Sequence, residues 1–481
     1  MKRREFAKSI AFLGVSAPAA RALGLQASNV LGGDFYEEPA KRLPIRRFDV
    51  VIAGGGTAGV VAALAAARQG ARTALIESKG YTGGTVTEGG TALHSFFNLW
   101  KAFPGVAKRQ VVKGIPHEIV ERLMTAGGCS GHAEELVNYA YDSINTSVDT
   151  EVYKLLSMEM LDEAGVFLAL NTMVVGAAVE GPRVRGVILE SRSGRELFEA
   201  RSFVDCTAYG HLAAYAGAKY SEPNDYAVAN SVGLAGVDLD KVTEYVKTNG
   251  GADSLALGFH DGVAGKVVRL SGPNGTDKLG LLITTVRDNY FMFLKFNLKM
   301  PVSPTDRDAT ARAELQLRKL QRQGVERLRK NVPGCEKAFI ARTSPTLNIR
   351  RARVIKCDYD ITHEDVIEGR HFDDDVMAYG FHDMAPRWQV KNGGTYGIPY
   401  RALRVTGIDN LLCAGMMITS DHRAHMSTRN TVSCLAQGQA AGTAAALCAA
   451  TGCGTRQVPY ADLRATLEKN GVHFETEADD V

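Results

Sequence analysis

The 481-residue sequence lacks several patterns that would place it in a common class of protein. None of its eight cysteines forms a C-x-x-C pair, so nothing in their spacing supports an iron–sulfur cluster or a zinc site. The formal net charge is only +3, and no basic stretch with interleaved aromatic residues indicates a nucleic-acid partner. No apolar run is long enough to cross a bilayer of about 30 Å. A G-x-S-x-G motif, which would indicate a serine hydrolase, is also absent.

The N-terminal segment has the organisation of an export signal. Arg3 and Arg4 stand in an R-R-x-F-x-K pattern, and an apolar stretch from Ile10 to Ala20 follows. The pattern resembles a twin-arginine signal, whose route carries proteins across the membrane already folded. We therefore expect a signal over residues 1–27, then a linker over 28–47, and a periplasmic or secreted location. The sequence leaves open whether disulfide bonds form in that oxidising space.

A dinucleotide-binding fingerprint follows the linker. The apolar run 48–53 predicts a buried parallel strand, and the sequence G-G-G-T-A-G follows it at once. Gly54 permits the tight turn, and Gly56 lets the backbone approach a pyrophosphate. Gly59 lets the next helix, predicted over 57–69, pack closely on the strand. This order of strand, glycines and helix predicts a Rossmann-type unit that binds a dinucleotide.

Two further features bear on which dinucleotide is bound, because the fingerprint alone does not separate FAD from NAD. A second strand over 72–76 ends at Glu77, where a carboxylate can accept hydrogen bonds from a ribose. The cluster Gly83-Gly84-Thr85 then suits backbone that passes close to a large flat ligand. No second G-x-G-x-x-G follows a strand, so a separate nicotinamide domain is not expected. Electrons would then leave for a quinone, a cytochrome or oxygen.

Three blocks of the chain carry a resemblance to a known family. They are residues 49–90, the run D-C-T-A-Y-G-H-L-A-A at 205–214, and the motifs between 398 and 442. Together they resemble the FAD-dependent oxidoreductases of bacteria, relatives of the glutathione-reductase and fumarate-reductase flavoproteins. The second block is similar to the family's D-A-T-G-D-G-D-L-A-A, with Ala208 in place of a glycine and His211 in place of an acid.

The resemblance implies the fold and the domain organisation. The expected class is α/β, with a Rossmann-like FAD-binding domain of glutathione-reductase type, a β-meander, and an inserted α+β substrate or cap domain. The FAD-binding domain would comprise 48–215 and 396–450, with the cap at 216–395 and a C-terminal tail at 451–481. The meander is predicted from β-rich segments at 172–176, 183–190 and 196–204, which are separated by turn residues.

The cofactor implied is FAD. The residues expected to bind it come from the fingerprint, from the second glycine cluster and from the blocks of the resemblance. They are Gly54, Gly55, Gly56, Thr57, Ala58, Gly59, Glu77, Ser78, Gly83, Gly84, Thr85, Ala208, Gly415, Arg429 and Thr431.

Four residues are the expected catalytic groups. His422 and His425 stand three apart after a predicted strand, and either could take a proton from a substrate. Arg350 and Arg353 could clamp a carboxylate or orient a hydroxyl. Two histidines without a third ligand nearby do not make a metal site, so no metal is expected.

The hypothesis drawn from these features is an exported flavoenzyme that dehydrogenates a hydroxyl-bearing small molecule. Carbohydrate is one such class. Two alternatives are the reduction of an activated C=C bond and a lyase or isomerase reaction without net redox change. A protein that binds FAD without catalysis is a third. The sequence does not indicate an oligomeric state.

Overall fold

The computed structural model describes residues 38–88, 93–95, 109–129, 131–134, 144–249, 256–262, 265–271, 282–285, 289–300, 302–380 and 390–475. The chain divides into two units, residues 1–43 and residues 44–481. In the first unit, the described residues 38–43 form neither helix nor strand. The predicted signal, 1–27, lies outside the described residues, as does the linker up to residue 37. Among the residues that are described, no helix combines the length and the apolar character that a membrane span requires.

The second unit contains all the described strands and helices. The strands are β1 Ile45–Arg47, β2 Val50–Ala53, β3 Thr73–Ile76, β4 Leu93–Ser95, β5 Ala133–Glu134, β6 Ile144–Ser147, β7 Phe167–Ala169, β8 Met173–Glu180, β9 Arg183–Ser191, β10 Gly194–Glu199, β11 Ser202–Asp205, β12 Tyr220–Ser221, β13 Val228–Ala235, β14 Ala256–Gly262, β15 Gly265–Ser271, β16 Leu282–Thr285, β17 Tyr290–Leu298, β18 Phe339–Thr343, β19 Val354–Ile355, β20 Asp375–Tyr379, β21 Tyr396–Pro399 and β22 Leu411–Cys413. The α-helices are α1 Thr57–Arg68, α2 Thr85–Glu88, α3 Ile115–Thr125, α4 Thr150–Glu163, α5 His211–Tyr215, α6 Leu239–Asn249, α7 Arg307–Asn331, α8 His363–Ile367, α9 His422–Thr428, α10 Thr431–Thr451 and α11 Tyr460–Lys469.

A five-stranded parallel sheet forms the centre of the unit, in the order β22-β11-β2-β3-β7. Phe203 of β11 lies opposite Val51 of β2 on one side and Leu411 of β22 on the other. Every residue of β2, β3 and β11 is buried, which explains the unbroken apolar runs, since both faces of a parallel sheet are covered. The chain passes from β2 through α1 to the parallel strand β3, as a Rossmann unit requires. The predicted Rossmann-like fold is confirmed.

Helices α1 and α10 pack against each other through small residues. A Cβ atom added to Gly438 would lie 2.2 Å from the Ala58 carbonyl oxygen, and one added to Gly442 would lie 2.1 Å from that of Ala62. Both distances are far inside van der Waals contact, so only glycine allows the two backbones to approach this closely. Helix α10 therefore packs closely against the N-terminal half of α1.

The predicted meander corresponds to β8, β9 and β10, which pair antiparallel and are extended by β1 into a four-stranded sheet. The predicted β-segment 196–204 does not stay in one sheet. Its first part belongs to β10, whereas Ser202–Asp205 forms β11 and pairs parallel with β2. Backbone pairing with β2 buries this second part completely, and this separates it from the half-exposed meander.

A six-stranded antiparallel sheet, in the order β14-β15-β16-β17-β13-β18, forms a second layer with helix α7. Its own hydrophobic core includes Val228, Val232 and Leu234 of β13 together with Leu317 and Val325 of α7. Alternate residues of β13 therefore face the helix, and the residues between them face away from it. This layer of a sheet and a helix corresponds to the predicted α+β cap domain. The predicted domain boundaries at 215/216 and 395/396 stay a prediction.

The contact between α1 and α10 gives a prediction about stability. Glycine costs about 1 kcal/mol relative to alanine inside a helix, so Gly442→Ala should stabilise the protein if propensity alone decides. The clash with the Ala62 carbonyl reverses this sign, and we expect the free energy of unfolding to fall by about 1–3 kcal/mol. Chemical denaturation measures the change. The control is Ala450→Val at an exposed position of the same helix, with an expected change within about 0.5 kcal/mol. A Gly442→Ala protein more stable than the wild type would refute the packing argument.

Candidate functional site

A cavity of about 750 Å³ lies at the carboxyl end of the parallel sheet, against the six-stranded sheet. Its volume is within the range of about 300–1,000 Å³ that is usual for ligand sites. In open α/β folds, ligands bind in the crevice outside the carboxyl ends of the strands, and this cavity has that position. The lining residues on the parallel-sheet side include Gly54, Gly56, Thr57, Ala58, Ile76, Glu77, Ser78, Lys79, Gly84, Thr85, Cys206, Thr207, Ala208, Ala414, Gly415, Met416, Arg429, Asn430 and Thr431.

Each glycine of the fingerprint is required for a different structural reason. Gly54 has φ +96°, and a Cβ atom there would lie 2.5 Å from the Cys206 carbonyl oxygen. A Cβ atom on Gly59 would lie 1.8 Å from the Gly54 carbonyl oxygen, so Gly59 brings α1 against β2. Gly56 is different, because a Cβ atom there would meet nothing nearer than the Gly84 Cα at 3.9 Å. The space beside Gly56 is open toward the cavity and suits a phosphate at the N-terminus of α1.

Glu77 lies where β3 ends, on the wall of the cavity. Its carboxylate accepts hydrogen bonds at 2.9 Å from the backbone N–H groups of Gly55 and Lys79. These bonds fix the carboxylate in place and leave acceptor capacity on its oxygens for ligand hydroxyls. This is the arrangement expected for binding a ribose next to the phosphate-binding turn.

The structure brings most of the predicted cofactor residues together. Of the fifteen, twelve line the cavity: Gly54, Gly56, Thr57, Ala58, Glu77, Ser78, Gly84, Thr85, Ala208, Gly415, Arg429 and Thr431. Gly55, Gly59 and Gly83 are not in its lining and serve the packing of the turn instead. A Cβ atom on Gly83 would lie 2.5 Å from the Thr87 side chain.

The turn after β11 contains the departures from the family sequence. Asp205 is fully buried, and its carboxylate accepts bonds from the Thr207 and Ala213 N–H groups at 2.9 and 2.8 Å. Ala208 has φ +65°, a left-handed conformation that costs a non-glycine residue about 1–2 kcal/mol. The family's glycine at this position avoids that cost. The hydrogen bonds of Asp205 hold the turn in this conformation.

His211 lies on the cavity wall but is not among the site residues predicted from the sequence. Arg353 Nη1 lies 3.3 Å from His211 Nδ1, and a guanidinium can only donate, so Nδ1 accepts and the proton sits on Nε2. Burial lowers the pKa of His211 below its usual range, which keeps the ring neutral. Arg353 is outside the lining and also pairs with Glu222 at 3.0 Å. The signal for His211 was present, because it replaces an acid in the family turn.

His425 is fully buried and does not line the cavity. Its Nε2 donates to the carbonyl oxygen of Met416 at 2.9 Å, and Met416 is a lining residue. Its Nδ1 has no hydrogen-bond partner among the described residues. Burial lowers the pKa of His425 well below its usual range, so the ring is neutral at neutral pH.

His422 is also outside the lining but is partly exposed, with 41% of its side chain accessible. Asp225 Oδ2 lies 2.6 Å from its Nδ1, and the same carboxylate pairs with Arg351 at 2.8 Å. Arg351 Nη1 also lies 3.3 Å from Nδ1, but the Asp225 carboxylate is nearer, so Nδ1–H donates to Asp225. This fixes the ring and leaves the Nε2 lone pair to accept a proton. The rings of Tyr226 and His422 stack with their centroids 4.9 Å apart. The guanidinium of the lining residue Arg429 lies 5.3 Å from the centre of the Tyr226 ring.

The wall opposite the fingerprint belongs to the six-stranded sheet and the segment that follows β18. Arg350 is the one predicted catalytic residue that lies on it. The other lining residues here were missed, because their side chains meet only when distant strands pair. This side of the lining is Ala229, Asn230, Lys295, Ser344, Thr346, Leu347, Asn348 and Arg350.

Comparisons with known proteins agree with this geometry. The family model described as FAD dependent oxidoreductase matches residues 49–467. The tRNA uridine 5-carboxymethylaminomethyl modification enzyme MnmG of Geobacter sulfurreducens is 30% identical over 154 residues, which are 30% of this chain and 22% of that protein. The chain thus spans about a fifth of that relative's length.

Two solved structures match most of the chain at low identity. A geranylgeranyl bacteriochlorophyll reductase-like protein from Thermoplasma acidophilum has 14% identity and a TM-score of 0.43, over 89% of this chain and 82% of that chain. The flavin-dependent brominase Bmp2 has 13% identity and a TM-score of 0.47, over 88% and 84%.

The open space at Gly56 predicts the effect of filling it. Gly56→Val would place methyl groups where a pyrophosphate must approach the backbone, so we expect colourless protein without flavin absorbance. Because no neighbour is nearer than 3.9 Å, the fold should survive, which circular dichroism checks. The matched control is Gly80→Val in the exposed loop beyond Glu77, which should stay yellow. A Gly56→Val protein with full flavin content would refute the assignment.

Proposed function

Because the chain belongs to the FAD-dependent oxidoreductase family, we propose that it is a dehydrogenase of a hydroxyl-bearing small molecule. The electrons would pass to an acceptor other than a nicotinamide, such as a quinone, a cytochrome or oxygen. The chain is an FAD-dependent oxidoreductase, and its cofactor is FAD. Our proposal concerns its substrate class, its electron acceptor and its export in folded form. Bound FAD supplies the site that accepts hydride.

The residues that would hold FAD fit its chemistry. The open backbone at Gly56 and the N-terminus of α1 would face the pyrophosphate, and Glu77 would face a ribose. The N-terminus of α10 lies at the cavity through Thr431, and its free N–H groups suit a carbonyl oxygen of the flavin ring. The His211 Nε2–H is a further donor, kept in that tautomer by Arg353.

The observation that carries the proposal is the polar wall opposite the fingerprint. Thr346 and Asn348 bring a hydroxyl and an amide side chain to the lining of the cavity that contains the fingerprint, and the Ser344 hydroxyl beside them is bonded to Ser231. Such groups can bind and orient a hydroxyl-bearing molecule. A polar substrate between this wall and the flavin would be held for transfer.

The reduction of an activated C=C bond is the second candidate. The observation that favours it is the positive charge of the wall, where Lys295 and Arg350 could bind the carboxylate that activates such a bond. The two candidates differ in direction. A dehydrogenase takes electrons from its substrate, and a reductase gives electrons to it.

Anaerobic mixing with a panel of polyols, sugars and hydroxy acids tests the proposal. We expect at least one compound to bleach the oxidised-flavin absorbance, since a donor reduces the flavin when no acceptor is present. If none bleaches it, and a chemically reduced sample is reoxidised by an α,β-unsaturated carboxylate, the result would favour the reductase over the dehydrogenase.

His422 is the proton acceptor that we propose for the dehydrogenase, because the Asp225 pair leaves its Nε2 available. His425 would instead position Met416. We expect His422→Gln to slow anaerobic flavin reduction by about 10²–10⁴-fold with FAD content unchanged. The control is His371→Gln, since His371 also pairs with a carboxylate, Asp375, at 2.9 Å and also lies outside the lining. Its partners Asp375 and Thr395 do not line the cavity, whereas Tyr226 joins His422 to the lining residue Arg429.

Rapid-mixing measurement of the flavin absorbance gives these rates. Wild-type reduction rates in both variants would remove His422 from the mechanism. The proton would then have to go to a group on the wall itself.

A further inference from the structure

The face of the six-stranded sheet that lines the cavity can be defined from strand pairing. Lys295 lies opposite Ser231, and Asn297 lies opposite Ala229. The residue between them, Phe296, packs on helix α7, where a Cβ atom on Gly324 would lie 2.4 Å from its ring. Because side chains alternate along a strand, Lys295 and Asn297 face away from α7, on the cavity side.

Two cations lie on this face. Lys295 and Arg350 both line the cavity, and Arg350 Nη2 donates to Asn297 Oδ1 at 3.4 Å. Residues two apart on a strand are about 7 Å apart, so the Lys295 position and the guanidinium that Asn297 binds are neighbours on one surface. An ammonium and a guanidinium that line the same cavity can bind one small anion between them.

The described lining contains two acids, and one of them, Glu88, accepts a hydrogen bond at 3.5 Å from the Thr346 hydroxyl of the wall. Glu77 accepts bonds from Gly55 and Lys79 beside the fingerprint, and Glu88 forms an ion pair with Lys79. Neither acid belongs to the six-stranded sheet. Glu88 thus has its own cation in Lys79, and Lys295 and Arg350 add further positive charge to the same cavity.

We propose that the substrate carries a carboxylate, which binds between Lys295 and Arg350. This inference rests on the proposed function and narrows it, from any hydroxyl-bearing molecule to a small hydroxy acid. The carboxylate is a handle that takes no part in electron transfer. It would orient the hydroxyl-bearing carbon with bonds that a neutral sugar cannot form.

Ligand binding to the oxidised holoenzyme tests this without turnover. Titration with malonate should change the flavin absorbance in a saturable manner, whereas malonamide, which has the same shape without charge, should not. Lys295→Met and Arg350→Met should each weaken malonate binding roughly tenfold or more, because each removes a charged partner. The matched controls are Lys319→Met and Arg312→Met at exposed positions of α7, on the other side of the sheet. All four variants should retain FAD, which separates a substrate handle from a contact with the cofactor.

The outcomes are distinct. The carboxylate site would be overturned if malonate bound the Lys295 and Arg350 variants as tightly as the wild type. It would also be overturned if the wild type bound malonate and malonamide equally well, or bound neither. Loss of FAD from these variants would assign the cations to the cofactor and overturn it too. If malonate binds as expected but no hydroxy acid bleaches the flavin, the carboxylate site stands and dehydrogenation fails. Bleaching by neutral polyols without inhibition by malonate would leave the dehydrogenase and remove the site.

Discussion

The approach of helix α1 to the strands beside it is the constraint on which the rest of the structure depends. Gly59 lets the first turn of α1 lie against the Gly54 carbonyl, and Gly438 and Gly442 let α10 press on α1 from its other side. A single methyl group at any of these contacts would move the helix. The N-terminus of α1 is therefore fixed relative to β2, and the cavity beside it has a fixed shape.

Most of the residues predicted to bind the cofactor line one cavity, and the sequence could indicate this because they are close together along the chain. The turn, the helix and the acid at its second strand all lie within a few dozen consecutive residues, so their spacing encodes their geometry. The opposite wall has no such local encoding. Lys295 meets Ser231 only through strand pairing, and His211 meets Arg353 at a separation of 142 residues. Contacts of this kind depend on the register of distant strands, which composition and periodicity do not specify.

The two predicted histidines show how strongly position within a helix changes an environment. His422 is the first residue of α9, where the side chain can turn toward Asp225 and solvent. His425, one turn later, is enclosed by protein and donates to the Met416 carbonyl. Although the two histidines are only three residues apart, His422 is suited to exchange protons, whereas His425 is suited to hold the backbone of Met416 in the cavity wall.

The two sheets would have different roles in the site, because one contributes backbone groups and the other contributes side chains. The parallel sheet would bind the cofactor mainly with backbone groups and glycines, so few of its positions can change without moving α1. The six-stranded sheet instead presents side chains from alternate positions, while its other face keeps the apolar contact with α7. Lys295 can be exchanged for another residue without touching that core. Substrate choice is therefore expected to reside in the six-stranded sheet, and the charge found there is the best available guide to the substrate.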